Sequence, residues 1–187
     1  MSVTGQRSPD RKKIMSFTLY DATMPSYLQI LGSMTGLLGK AEEFCKEQGL
    51  APDHFVQTRL ADDMLPFAYQ VRSTASHSLG AVEGLRAGVF EPDRSAPPAT
   101  IGGLRDLIGE TITKLEAIDA AEIESFIGKD MRFQFGSYVM EFVGENFLMS
   151  FSQPNFYFHA TTAYDILRMN GVQVGKRDFN GAYRKKA

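Results

Sequence analysis

The stretch "PNFYFHATTAYDILRMNG", residues 154–171, sets an asparagine and a histidine, Asn155 and His159, one helical turn apart inside an aromatic run. At about 100° per residue, Asn155, His159, Ser152 and Thr162 share one sector of a helix, and Leu148 and Ile166 extend that sector in both directions. The face is therefore apolar at both ends and polar in the middle. Pro154 lacks an N–H, so the carbonyl of Ser150 loses its helical donor and a kink is expected there. A kink beside a polar patch makes room for a ligand. The same groups also suit a packed core in which polar side chains satisfy one another, with Asn155 capping the freed carbonyl.

Working outward, the helix that carries this patch is expected over residues 145 to 169, closed by Asn170-Gly171 as a C-terminal cap. Phe147, Phe151, Phe156, Phe158 and Leu167 point in several directions around it, as in a central helix or one with a second partner. Before it, residues 131 to 142 alternate with period two around Gly136-Ser137, a two-residue hairpin turn. Pairing across the turn sets Phe135 opposite Tyr138, Phe133 opposite Met140 and Met131 opposite Phe142, with Arg132 opposite Glu141 on the other face.

Three more helices are expected upstream. Residues 18 to 48 place Tyr20, Met24, Tyr27, Leu31, Met34, Leu38, Ala41 and Cys45 on one face. Gly32 and Gly36 in that helix imply a closely packed neighbour. Residues 65 to 86 carry Phe67, Val71, Val82 and Leu85 on one face, and Gln70, Ser73, His77, Ala81 and Gly84 on the next. A Pro-rich crossover, "RAGVFEPDRSAPPAT", leads to Thr100 as an N-cap and to a helix over residues 100 to 118. Asp119 and Glu122 resemble a capping box for one further turn. The expected fold is mainly α: a four-helix bundle with a small β-hairpin between the third and fourth helices.

At 187 residues the chain suits one domain, over residues 16 to 179, between a polar tail at 1 to 15 and another at 180 to 187. The C-terminal stretch "GKRDFNGAYRKKA", residues 175–187, reads as a loose, solvated end. A net charge of −2 gives no pull toward nucleic acid. No run approaches the ~18 apolar residues of a membrane span. One cysteine, Cys45, forms no internal disulfide and points to the cytoplasm.

Three segments, "FTLYDATMPSYLQILGSMTGLLGKAE", "PNFYFHATTAYDILRMNGV" and "GKRDF", resemble the bacterial DUF1993 family, of the DinB/YfiT-like superfamily. The resemblance covers nearly all of residues 15 to 179. It implies a four-helix bundle, often dimeric, and in many members a divalent metal on three histidines, one from the second helix and two spaced H-x-x-x-H on the fourth. Characterised relatives include metal-dependent transferases that use small thiols. On this plan His77 matches the second-helix histidine and His159 the second of the fourth-helix pair, while Asn155 stands where the first would be. An amide oxygen is a weak substitute for imidazole on a transition metal such as zinc or nickel.

Two functions follow. In one, His77, His159 and Asn155 hold a divalent metal, weakly, and activate water or a small thiol, with Gln70, Ser73, Ser152 and Thr162 on the pocket wall and Met64, Phe67, Tyr157 and the hairpin aromatics around the substrate. In the other, the protein is a metal-free, non-catalytic homodimer that binds a small molecule or serves as an accessory protein. A purely structural polar patch is the third reading. His54, in "APDHF", reads as an exposed loop residue; Asp53, Asp62 and Asp63 read as capping or solvated groups. Asp165 lies off the polar face.

Overall fold

The computed structural model describes residues 17 to 186; the expected tail at 1 to 15 lies outside them. The chain is mostly helical, with one small sheet. Helix α1 runs Leu19–Glu47 and begins on a capping box, in which Thr18 Oγ accepts the Asp21 N–H and the Asp21 carboxylate accepts the Thr18 N–H. Its buried stripe includes Met24, Tyr27, Leu31, Met34, Leu38, Ala41 and Cys45 of the residues that the spacing selects, while Tyr20 is half-buried at its rim.

The second helical run has three parts. Helix α2, Phe67–Ala75, passes through a π-helical segment, Ser76–Gly80, into α3, Ala81–Ala87. Gly88, left-handed at φ 72°, stops it. Strand β1, Val89–Phe90, follows. Helix α4, Ile101–Glu116, starts on Thr100, whose hydroxyl accepts the Gly103 N–H. Asp53 caps the same end by accepting the Ile101 N–H at 2.8 Å. Short helix α5, Ala120–Glu124, is capped by Asp119.

Strands β2, Asp130–Phe135, and β3, Tyr138–Val143, form the hairpin in the register read from the sequence: Phe135 faces Tyr138, Phe133 faces Met140, Met131 faces Phe142 and Arg132 faces Glu141. The sheet has a third strand that the sequence reading omits. Strand β1 lies parallel to β2, with Val89 beside Arg132 and Phe90 beside Phe133. A two-residue strand is too short to show alternation, and its pairing comes from the far side of the chain.

The last run begins with α6, Gly144–Asn146, passes through a second π-helical segment, Phe147–Ser152, and continues as α7, Gln153–Met169. This π-helical segment lies just before Pro154, which sits in the first turn of the resumed α-helix. Helix α1 packs on α4, and α2 on both α7 and α4.

Two expectations change. No heavy atom lies within 4 Å of a Cβ built on Gly32 or Gly36, and both are exposed, so the intramolecular neighbour expected there is not close-packed. The C-terminal run, read as loose, packs on α1 instead. Helix α8, Lys176–Asn180, contacts α1; Phe179 joins the rim of the core; the Asn180 carbonyl accepts from Gln29 at 2.7 Å; and Lys40 pairs with Asp178 at 2.8 Å. The aromatic Phe179 and the capping carboxylate Asp178, which accepts the Gly175 N–H, are what make a basic run dock. Among the described residues no helix is long and apolar enough to cross a membrane.

Candidate functional site

The two π-helical segments meet where α2–α3 packs on the last helical run, and they carry the site. The first holds His77 and the second ends at Ser152. Each π turn widens the helix by one residue and re-aims the side chains after it, which is why such turns recur at functional sites. Ser152 Oγ donates to the His77 carbonyl at 3.0 Å. That uses its one proton, so toward the His77 ring, 3.3 Å away, it is an acceptor and His77 carries its proton on Nδ1.

His159, one turn beyond Asn155 on α7, has the same tautomer for a parallel reason. Gln70 Nε2 donates to the Leu65 carbonyl at 2.7 Å, which fixes the amide orientation. Its Oε1 is then the acceptor 2.7 Å from His159 Nδ1, so that nitrogen is protonated. Both imidazoles therefore have Nε2 as a bare lone pair. Their ring centres are 5.6 Å apart and their planes differ by 15°.

The surroundings keep both rings neutral. Burial pushes His77 down to about 3, with the neighbouring His159 ring adding to the effect. Burial alone pushes His159 down to about 4. Aromatic rings supply much of that burial: Phe90 at 5.4 Å and Phe151 at 5.8 Å from His77, Tyr69 at 6.0 Å and Phe158 at 5.3 Å from His159. Of these, Tyr69 and Phe90 carry no pattern that marks them in the sequence as neighbours of a histidine. Met64, Phe67 and Tyr157, expected around a substrate, are not among these four, and Phe67 is fully buried in the core.

The structure thus brings together His77, His159, Gln70 and Ser152. It does not bring in the rest of the expected polar wall. Asn155 donates to the Phe151 carbonyl at 2.7 Å on its own helix, not to the Ser150 carbonyl freed by Pro154. Thr162 likewise donates to the Phe158 carbonyl at 2.8 Å. Ser73 is buried on α2. His54 is exposed and edge-on to Phe55. A cavity of about 610 Å³ lies elsewhere, between α2–α3, the crossover and α4, lined by Ser76, Gly80, Glu83, Phe90 and Glu110 among others, but not by either site histidine. Phe90 separates the two places, lining the cavity and packing on His77.

With nitrogen–metal bonds of about 2.0–2.1 Å, two imidazoles on one ion put their ring centres roughly 5 to 6 Å apart. The spacing of His77 and His159 matches that, and each Nδ1–H has an acceptor of the kind that orients a metal-bound histidine. No third His, Cys, Asp or Glu joins them among the described residues. Two imidazoles without a third ligand of these types fit an ion only if it is weakly held.

A family model described as Domain of unknown function (DUF1993) matches residues 19–180. Among solved structures, the chain is similar to a DinB family member protein from Shewanella denitrificans, at 29% identity over 90% of this chain and 95% of that one, with a TM-score of 0.76. No curated protein matches the sequence.

Proposed function

Since the chain belongs to the DUF1993 family of DinB-like proteins of unknown function, we propose that it is a four-helix bundle in which His77 and His159 hold a divalent metal ion, zinc or nickel, with Asn155 as a weak third donor, for a small-molecule transferase or hydrolase reaction with a thiol as the favoured substrate. The observation that carries this reading is the pair of matched tautomers: two neutral imidazoles, 5.6 Å apart, each with Nε2 bare and Nδ1–H held by an acceptor.

A bound divalent ion supplies Lewis acidity that brings the pKa of a water or thiol toward 7. The chain's own residues do the rest. Gln70 and Ser152 fix the rings, and the collar of Tyr69, Phe90, Phe151 and Phe158 limits water. Phe158, 55% exposed on α7, with Tyr157 next to it, supports a homodimer in which α7 meets its copy, and the lone cysteine supports the cytoplasm as its compartment.

The second reading, a metal-free dimeric binding protein, is favoured by one observation: a third ligand of the usual types is missing among the described residues. Metal analysis of protein purified without a histidine tag, with zinc and nickel calorimetry, separates the two. One equivalent in the native protein and none in His159→Ala, at unchanged helical circular dichroism, is expected. No binding by the native protein leaves the metal-free reading.

A further inference from the structure

We infer that the cavity of about 610 Å³ between α2–α3, the crossover and α4 binds a small ω-amino carboxylate, with its carboxylate on Arg72 and its ammonium among Glu83, Glu91 and Glu110. The inference is independent of any ion on the histidine pair.

Arg72 is the first argument. It lines the cavity and is 8% exposed. Its Nη1 donates to the Ser95 carbonyl, and the guanidinium carbon lies 4.8 Å over the Tyr69 ring. These two contacts hold the group in place. Its other N–H groups have no hydrogen-bond partner among the described residues, and no carboxylate among them pairs with it. Asp93, on the same cavity wall, is committed to the crossover: Oδ1 accepts the Ser95 N–H at 2.8 Å and Oδ2 the Ser95 hydroxyl at 2.9 Å. The free N–H groups are not sealed in protein either, since the one sealed, unpartnered side-chain atom among the described residues is the Tyr27 hydroxyl. A buried guanidinium without a counter-ion is costly, and a planar carboxylate matches its donor fork.

The opposite charge at the other end is the second argument. Arg72 and Glu83 stand about three turns apart on the α2–α3 run, roughly 15 Å along its axis. The crossover runs back along it: a Cβ on Gly84 would lie 3.0 Å from Phe90 Cβ, whereas Ser95 sits at Arg72. Helix α4 starts at the Arg72 end, since a Cβ on Gly103 would lie 3.1 Å from Pro98 Cβ, and Glu110 stands about two turns further on. Glu83, Glu91 and Glu110 line the cavity with Lys114, so this end is negative on balance. These carboxylates also disfavour a ligand with anions at both ends. Ala75 and Leu79, between Arg72 and Glu83, and Leu107, a turn before Glu110, give an apolar wall for the chain of the ligand. The volume suits such a molecule.

The test titrates nitrogen-15-labelled, untagged full chain, with a chelator present, and reads affinity from amide chemical shifts. The probes are 8-aminooctanoate, octanoate and octylamine. The amino acid is expected to bind about 10-fold more tightly than either single-ended analogue. Shifts are expected at Leu79, Gly80, Val89 and Thr111. The short 4-aminobutanoate should lose that advantage. Arg72→Gln should weaken octanoate and 8-aminooctanoate by about 10-fold and leave octylamine unchanged. Glu83→Gln/Glu110→Gln, at exposed positions, should weaken octylamine and 8-aminooctanoate and leave octanoate unchanged. This second variant keeps the test decisive if Arg72→Gln loses helical content. His159→Ala should bind the amino acid as the native protein does. Octanoate or octylamine binding as tightly as 8-aminooctanoate overturns the inference, as do shifts that map to another surface or the absence of binding.

Discussion

His77 and His159 ionise with difficulty because the fold buries them together, and the consequence reaches stability. Their folded values, about 3 and about 4, lie below the ordinary histidine value. In metal-free protein the unfolded chain takes up protons as pH falls through ~6.5, while the native state does not until pH approaches 4. Unfolding therefore binds protons across that window, so the stability is fully present above about pH 6.5 and declines as pH drops toward 4. The expected loss between pH 7 and pH 5 is on the order of 1–2 kcal/mol for each histidine. Urea denaturation with a chelator present checks this. The native protein should lose midpoint over that range, and a His77→Gln/His159→Gln variant should lose distinctly less; identical slopes would mean the rings are solvated.

At the scale of elements, glycines separate contacts that matter from those that do not. A Cβ on Gly144, at the start of α6, would meet the Phe126 carbonyl oxygen and lie 3.2 Å from Leu85 Cδ2. Backbone cannot move aside cheaply, so Gly144→Ala is expected to destabilise by about 1–3 kcal/mol. Gly32 and Gly36 lie inside α1 facing open space. Alanine there should stabilise by roughly 0.5–1 kcal/mol through helix propensity alone. Thermal denaturation of the three variants tests the contrast. Destabilisation by Gly32→Ala would show that another surface closes on that glycine, a second subunit being the first to look for.

For the whole molecule, the exposed apolar side chains bear on assembly. Tyr157 and Phe158 stand on α7, and Phe135, Tyr138 and Val139 lie at least 46% exposed on the hairpin. We expect sedimentation equilibrium at micromolar concentration to give twice the 20.8 kDa chain mass, and Phe158→Asp to shift the population toward monomer. A native protein that sediments as 20.8 kDa species throughout would remove the dimer.

Much of the architecture was legible in the residues alone. The stripe from Met24 to Cys45, the cap at Thr100 and the alternation around Gly136-Ser137 are local patterns, and local hydrogen bonding and periodicity decide them. The pairing of His77 with His159 came from the family resemblance; the polar centre of one helix face and the small-residue stripe of another are compatible with it but name no partner. What the tertiary structure decided is everything that depends on two distant segments meeting. Strand β1 exists because β2 accepts it, and the C-terminal run docks because α1 offers Lys40 and Gln29. The histidine tautomers follow from Gln70 and Ser152, whose own protons are committed to carbonyls at Leu65 and His77. Sequence spacing places a side chain on a face, but the proton on a ring nitrogen answers to partners from across the core, and those are set only when the helices pack.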